Sequence, residues 1–237
     1  MPMRTTHIEP HSGNLAGRLN WLRAGVLGAN DGIVSVAAIV VGVAGATNEL
    51  APVITAGTAA LVGGAISMAL GEYVSVSSQR DSQRSLIDKE RTELATQPDE
   101  EFEELVGLYR DKGLTDDTAR QVARELTDGD VLKAHLDIEL GIDATQMVSP
   151  WHAAGASAVA FLVGGLIPFL AILLPSTIRI PVVFIVVIVA LAITGYLGAR
   201  LGGSRPLRAT IRVVVGGALA LGATFLIGSL LGTSGVV

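Results

Sequence analysis

The stretch AGVLGANDGIVSVAAIVVGVAGA, residues 24–46, decides the fold class, because it is a continuous apolar run interrupted by one acid, Asp31. A helix of about 20 apolar residues is long enough to cross the hydrocarbon core of a bilayer. Half of the 237 residues are apolar, and the mean hydropathy is +0.54. Four further runs of this kind lie at 53–75, 152–174, 181–199 and 212–233. We therefore predict an all-α membrane protein with five transmembrane helices.

The charged residues separate an acidic insert from the apolar parts of the chain. Residues 76–150 contain 18 of the 22 acidic residues and nine of the 17 basic residues. We predict that 76–150 is a cytosolic, acidic helical metal-binding domain between the second and third spans. The other parts are an N-terminal segment 1–23 with a short interfacial helix, the first two spans in 24–75, and the last three in 151–237.

The distribution of Lys and Arg predicts the orientation in the membrane. Basic residues precede the first span, occur throughout the insert, and lie between the fourth and fifth spans. Basic loops stay in the cytosol, so the N-terminus and the insert are predicted to be cytosolic and the C-terminus outside. The small residues Ala44-Gly45-Ala46 would also fit a signal-peptide cleavage site. The length of the run and its internal acid argue against that alternative.

Several function classes are excluded or disfavoured by composition. The chain has no cysteine, so disulfides, thiolate metal ligands and cysteine nucleophiles are excluded. Any bound metal must be held by carboxylates, His, Met, amides or water. We find no basic patch, and therefore predict no nucleic-acid partner. We also predict no enzymatic activity.

Three residues in the first two spans are candidates for an ion path. An acid within a membrane span is costly and indicates function by default. Asp31 in the first span and Met68 in the second are predicted to lie at similar depths, and Glu72 lies one turn from Met68. A carboxylate next to a thioether suits a borderline ion such as Fe²⁺ better than Mg²⁺.

Each of these residues also has a structural interpretation. Met68 by itself is more often a packing residue than a ligand. Asp31 by itself would fit a structural acid bonded to a neighbouring helix backbone. Glu72 lies near enough to the interface to be simply solvated.

The insert is predicted to contain three or four helices. An apolar face at Phe102, Leu105, Val106 and Tyr109 follows helical spacing. Asp99 and Thr115 are candidate N-caps, and Gly113 and Gly141 are predicted to end helices.

Pairs of potential metal ligands share helix faces on the insert. Like-charged neighbours destabilise a helix by about 0.2–0.5 kcal/mol unless a cation lies between them. Facing helices build di-metal carboxylate sites from such pairs, although a run of charges is more often a solvated face. The pairs are Glu90 with Glu93, Glu101 with Glu104, and His135 with Glu139.

Two long segments, residues 21–35 (WLRAGVLGANDGIVS) and 64–75 (GAISMALGEYVS), resemble the vacuolar iron transporter family. The resemblance covers nearly the whole chain. It implies five transmembrane helices, a homodimer, a cytosolic helical metal-binding domain, and export of Fe²⁺ from the cytosol in exchange for protons. Some members are linked to manganese, so Mn²⁺ is an alternative ion. A bacterial member would lie in the inner membrane.

The resemblance also assigns roles to individual residues. It places Asp31 and Met68 on the translocation path and Glu72 in the second-span motif. It makes five glutamates of the insert metal ligands: Glu90, Glu93, Glu101, Glu104 and Glu139. Eukaryotic members have a pair of methionines a turn before the last of these, whereas this chain has His135-Leu136. His is itself a common ligand of first-row divalent ions, and the exchange leaves the metal preference open.

The predicted function is therefore transport of Fe²⁺, or Mn²⁺, with no prosthetic group. The partners are divalent metal ions, protons, the bilayer and a second copy of the chain. The main alternative is a membrane-anchored acidic module that docks a partner protein or buffers metal. An exporter of organic cations would need more than 4% aromatic residues, and a ferroxidase would need a duplicated Glu-x-x-His motif.

Overall fold

The computed structural model describes residues 15–143 and 147–234, with side chains of the first helix described from Leu22 onward. All of the regular secondary structure in these described residues is helical. The helices are α1 Leu15–Ala46, α2 Leu50–Thr96, α3 Pro98–Asp111, α4 Asp116–Thr127, α5 Val131–His135, α6 Pro150–Ala171, α7 Arg179–Leu201 and α8 Pro206–Thr233, with a π-helical turn Leu136–Leu140 directly after α5.

Five of the helices, α1, α2, α6, α7 and α8, are long and apolar enough to cross a membrane. The prediction of an all-α chain with five such helices is therefore confirmed. At 1.5 Å per residue, the 47 residues of α2 extend for about 70 Å, more than twice the ~30 Å hydrocarbon core. Only the apolar first half of α2 is thus a membrane span, because charged residues crowd its second half.

The chain forms two compact units. The apolar unit contains the residues up to Val74 and those from Pro150 onward, and the acidic unit is Ser75–Ser149. Helix α2 contributes to both units. In the predicted segment 1–23, residues 15–23 are continuous with α1, and residues 1–14 lie outside the described residues.

Helix α1 is the centre of the apolar unit. Its residues Val36, Ala37, Val40 and Val41 are fully buried. Small residues allow the neighbouring helices to come close to it, as expected for helix packing in lipid. A Cβ added at Gly32 would collide with the carbonyl oxygen of Phe161 on α6.

The same close approach occurs between α1 and α8. A Cβ added at Gly228 would fall on the carbonyl oxygen of Gly42, and one at Gly232 would meet the carbonyl oxygen of Ala46 at 2.5 Å. By contrast, Gly222 on the same helix has open space around it. The Gly-x-x-x-Gly spacing on α8 is therefore used for backbone contact with α1.

The acidic unit has a small apolar core that the periodicity predicted. Leu105 and Val106 of α3 are buried against Ala119 and Ala123 of α4 and Ala134 of α5. These three helices therefore share one core. Phe102 and Tyr109 pack against this core from the same face of α3.

The predicted helix caps and helix-ending glycines of the acidic unit are found in the structure, except for the cap at Asp99. The Thr115 hydroxyl accepts the backbone N–H of Thr118 and caps α4 as predicted. Gly113 and Gly141 have φ values of 99° and 60°, in the left-handed region where glycine is favoured. The prediction of Asp99 as an N-cap is wrong. Gln97 occupies that position without a side-chain hydrogen bond, because Pro98 supplies the first helical residue.

Candidate metal centre

The acidic unit contains a compact group of possible metal ligands around His135. The Nδ1 atom of His135 lies 3.0 Å from Oε1 of Glu90, 3.7 Å from Oε2 of Glu101 and 3.8 Å from Oε2 of Glu139. One ligand atom each from Glu90, His135 and Glu139 lie within 4.8 Å of one another. An imidazole nitrogen with carboxylate oxygens is a ligand set that Fe²⁺ and Mn²⁺ accept.

Four helical segments supply these side chains. Glu90 comes from the second half of α2, and Glu101 from the first turn of α3. His135 is the last residue of α5, and Glu139 belongs to the π-helical turn that follows. π-Helical turns inside helices are rare and are often found at functional sites. Sequence patterns do not predict this π-helical turn, because the same residues fit an ordinary α-helix.

The group is buried but lacks internal hydrogen bonds. His135 is fully buried, and the side chains of Glu90 and Glu101 are 4% and 9% exposed. Neither ring nitrogen of His135, nor Oε1 of Glu90, has a hydrogen-bond partner among the described residues. Buried polar atoms without partners are costly, so this arrangement fits a site that a cation completes.

Burial and the neighbouring carboxylates raise the pKa values of Glu90 and Glu101. The pKa of Glu90 is raised to about 7, and burial is the largest cause. The negative charge of Glu139 is the second cause, and that of Glu101 is the third. Burial also raises the pKa of Glu101, followed by the negative charge of Glu104. A bound divalent cation would remove this repulsion, because it favours the charged form of each carboxyl group.

Glu93 and Glu104 lie at the edge of the cluster. Glu93 accepts a hydrogen bond of 2.8 Å from Lys89, and this contact raises the pKa of Lys89. Glu104 is exposed, and its charge raises the pKa values of both Glu90 and Glu101. The structure therefore brings all six acidic-unit candidates to one region, with His135, Glu90 and Glu101 buried in its interior.

Asp31 lies in α1 and is partly buried in the apolar unit. Its Oδ1 accepts a 2.5 Å hydrogen bond from the hydroxyl of Ser35, one turn further along α1. The short distance is typical of a charge-assisted O–H···O bond. The contact lies within one helix, whereas the structural alternative for this acid required a bond to a neighbouring helix backbone.

Glu72 and Met68 lie on the same face of α2. The side chain of Glu72 is only 8% exposed, so the interpretation of Glu72 as a solvated acid is wrong. It accepts a hydrogen bond from Arg23 of α1. Met68 is partly buried and packs against the apolar core of the unit, so packing is at least part of its role.

Helices α1 and α2 approach each other through individual side chains. A Cβ added at Gly57 of α2 would lie 2.8 Å from Val40 of α1, and Val36 and Leu61 both flank Gly165. Glu72 lies one turn beyond Met68 on α2.

One functional candidate was missed in the sequence. The charge pattern places Arg23 only in the basic region before the first span, yet Arg23 contacts the buried carboxylate of Glu72. Its position eight residues before Asp31, two helical turns away on α1, is the only signal that could have singled it out.

The fold and the cluster together define a class of protein. The chain is an integral membrane protein whose five long apolar helices accompany a smaller acidic unit with a carboxylate–imidazole cluster. Residues 22–229 match the model of the VIT family, and the chain therefore belongs to this family.

Several curated relatives are similar over almost the full chain. A vacuolar iron transporter of Acanthamoeba castellanii is 44% identical over 94% of this chain and 82% of its own length. Vacuolar iron transporter homolog 5 of Oryza sativa subsp. japonica is 38% identical, over 94% of this chain and 86% of its own. Vacuolar iron transporter homolog 2 of Arabidopsis thaliana is 33% identical, over 92% of this chain and 88% of its own length. These relatives are named as transporters rather than as enzymes.

Proposed function

We propose that the protein transports a divalent transition metal, Fe²⁺ with Mn²⁺ as the alternative, out of the cytosol in exchange for protons. The observation that carries the proposal is the buried group around His135, whose ring nitrogens and neighbouring Glu90 oxygen have no hydrogen-bond partner among the described residues. Similarity to proteins named vacuolar iron transporters supports iron as the cargo.

The proposed mechanism begins in the acidic unit. Residues 76–150 form a cytosolic domain in which His135, Glu90, Glu101 and Glu139 collect the ion. Glu93 and Glu104 add negative charge at the edge of the cluster and attract cations to it. The acidic unit would thereby raise the local concentration of metal at the cytosolic side.

The second stage is passage through the apolar unit. Glu72, Met68 and Asp31 would receive the ion in succession. In support, Glu72 and Met68 share one face of α2, and Asp31 is the acid within the apolar run of α1. Protons that arrive from outside would protonate the carboxylates and release the ion there. The working unit is proposed to be a homodimer, with the N-terminus in the cytosol and the C-terminus outside, in the inner membrane if the protein is bacterial.

Metal flux into sealed proteoliposomes tests this proposal. We expect uptake of Fe²⁺ or Mn²⁺ that depends on an imposed pH gradient and is abolished by Asp31→Asn. Glu49→Gln is the matched control, since Glu49 is an exposed acid in the short link between α1 and α2. Each variant must first elute as a folded species at the wild-type position in size-exclusion chromatography.

Two results would contradict the proposal in different ways. Absence of flux for both ions, in protein that still binds metal in the acidic unit, would favour a membrane-anchored metal buffer. Metal uptake that is accompanied by no movement of protons in the opposite direction would retain metal transport and reject proton exchange.

A further inference from the structure

The charged residues of the last three helices are all arginines. Residues 150–237 contain five arginines, no lysine and no acidic residue. Three of the five, Arg205, Arg208 and Arg212, lie at the start of α8, and all three are exposed. Their side chains have no ion-pair or hydrogen-bond partner among the described residues. Three guanidinium groups therefore lie close together with no anion beside them.

The spacing places these guanidinium groups on one face of the helix. Arg208 follows Arg205 by three residues, and Arg212 follows Arg208 by four. Residues three and four apart are neighbours on a helix surface, and like charges so placed repel one another. Basic loops also set the orientation of a membrane protein, but that rule needs no shared face and lysine satisfies it equally well. The shared face is thus a separate observation, and an anion bound on it would relieve the repulsion.

The length of α8 puts the arginines at the level of lipid headgroups. Its 28 residues extend for about 42 Å, whereas the hydrocarbon core of a bilayer is ~30 Å thick. The uncharged segment 213–232 is by itself long enough to cross that core. Arg212 then lies at the edge of the core, and Arg208 and Arg205 lie ~6 Å and ~10 Å further out at 1.5 Å per residue.

An exposed apolar stripe runs beside the arginines. Leu207, Ile211, Val215 and Leu219 repeat every four residues along α8, and between 51% and 73% of each residue is exposed. The first two of these residues each directly precede an arginine in the sequence, so the two stripes adjoin. Helix α8 therefore offers an apolar surface for acyl chains next to a basic surface for a headgroup.

The choice of arginine indicates the kind of anion. A guanidinium group presents its N–H donors in a planar fork that matches two oxygens of a phosphate, whereas an ammonium group acts as a point charge. Basic side chains next to a membrane attract anionic lipids in particular. A zwitterionic headgroup carries its own cation, which competes with the arginines for the phosphate.

We propose that Arg205, Arg208 and Arg212 form a binding site for the phosphate group of an anionic phospholipid, whose acyl chains lie along the apolar stripe of α8. The site is separate from the metal cluster and from Asp31, Met68 and Glu72. It makes an anionic lipid a bound partner of the apolar unit, whichever ion the protein transports.

Native mass spectrometry of the full-length protein, titrated with phosphatidylglycerol or with phosphatidylcholine of the same acyl chains, tests this inference. We expect wild-type protein to bind the first phosphatidylglycerol at least about tenfold more tightly, since each basic residue near an anionic surface contributes about fivefold. Arg208→Gln should weaken phosphatidylglycerol binding by about fivefold and leave phosphatidylcholine binding unchanged. Arg124→Gln is the matched control, because it removes the same charge from an exposed position of α4 in the acidic unit.

A charge-conserving variant covers the case in which Arg208→Gln inserts poorly. Arg205→Lys/Arg208→Lys/Arg212→Lys keeps the three positive charges that orient the helix, but it loses the guanidinium forks. We expect this variant to insert normally and to bind phosphatidylglycerol more weakly than wild-type protein, while still preferring it to phosphatidylcholine.

Three results would overturn the inference. Wild-type protein that binds both lipids equally has no anionic lipid site, and this comparison needs no variant. Equal weakening by Arg208→Gln and Arg124→Gln would show that net charge alone governs binding. A loss of dimer mass in Arg208→Gln, with lipid binding unchanged, would assign the arginine face to a second copy of the chain. None of these readouts involves metal flux, so failure of the proposed transport function would leave the lipid site standing.

Discussion

Nδ1 of His135 lies 3.0 Å from Oε1 of Glu90, and yet neither atom has a hydrogen-bond partner among the described residues. The distance is short enough for a bond, but the orientation of the groups does not allow one. Carboxylate oxygens of Glu101 and Glu139 lie 3.7 and 3.8 Å from the same imidazole nitrogen. A divalent cation would satisfy all of these atoms together.

The first prediction concerns His135. His135→Ala removes the proposed nitrogen ligand, and we expect it to weaken Mn²⁺ binding by the acidic unit by about tenfold or more. Isothermal titration calorimetry on the full-length protein in nanodiscs measures this change. The control is His152→Ala on α6, outside the acidic unit. Equal weakening by both substitutions would contradict a specific role of His135.

The second prediction compares two glutamates of α3 that are two residues apart. Glu101 is buried beside His135, whereas Glu103 is exposed and accepts a 2.8 Å hydrogen bond from Arg120. Glu101→Gln should weaken metal binding, because it removes a charge from the interior of the cluster. Glu103→Gln should leave metal affinity unchanged and change stability little, because exposed ion pairs are screened by solvent.

Calorimetry and a thermal melt of both variants measure these effects. If Glu103→Gln weakened metal binding as much as Glu101→Gln, general negative charge would explain the affinity better than a defined site.

The third prediction concerns pH. Burial and neighbouring carboxylates raise the pKa of Glu90 to about 7 from an ordinary value of 4.5, so the folded protein retains a proton that the unfolded chain loses. Between these pH values the folded state binds more protons, and the free energy of unfolding of the metal-free acidic unit should fall as the pH rises. Metal affinity should change in the opposite direction, because ligands must be deprotonated, and should increase from pH 6 to pH 8.

Titration of Mn²⁺ binding against pH checks this expectation. Glu90→Gln removes the group that titrates near neutrality, so its pH dependence should be flatter than that of the wild type. A wild-type affinity that is constant over this range would show that Glu90 does not bind the ion.

The fourth prediction concerns the contact between α1 and α8. Gly228→Ala would place a methyl group on the carbonyl oxygen of Gly42, and the helices would have to separate. Overpacking of this kind costs typically about 1–3 kcal/mol, and the melting temperature should fall accordingly. Gly222→Ala is the matched control on the same helix, because open space surrounds Gly222. A similar loss of stability in both variants would indicate an effect of glycine itself rather than of the contact.

The sequence by itself determined the helical class, the number of apolar helices and the acidic insert. Apolar run length, charge distribution and helix caps are local properties, and neighbouring residues such as Thr115 and Gly113 are sufficient to specify them. The one wrong cap, Asp99, shows the limit of local signals, because Pro98 and Asp99 compete for the start of the same helix. The family resemblance was also present in the sequence, since segments 21–35 and 64–75 carry it.

Only the tertiary structure decided which side chains share a site. Glu90, Glu101 and His135 come from three different helices, and helical periodicity predicts neighbours only within one helix. The π-helical turn at Glu139 and the contact of Arg23 with Glu72 likewise depend on packing between segments distant in sequence. Burial then changes the properties of these carboxyl groups. Once neighbouring helices exclude solvent, a carboxyl group either has a raised pKa or requires a cation as partner.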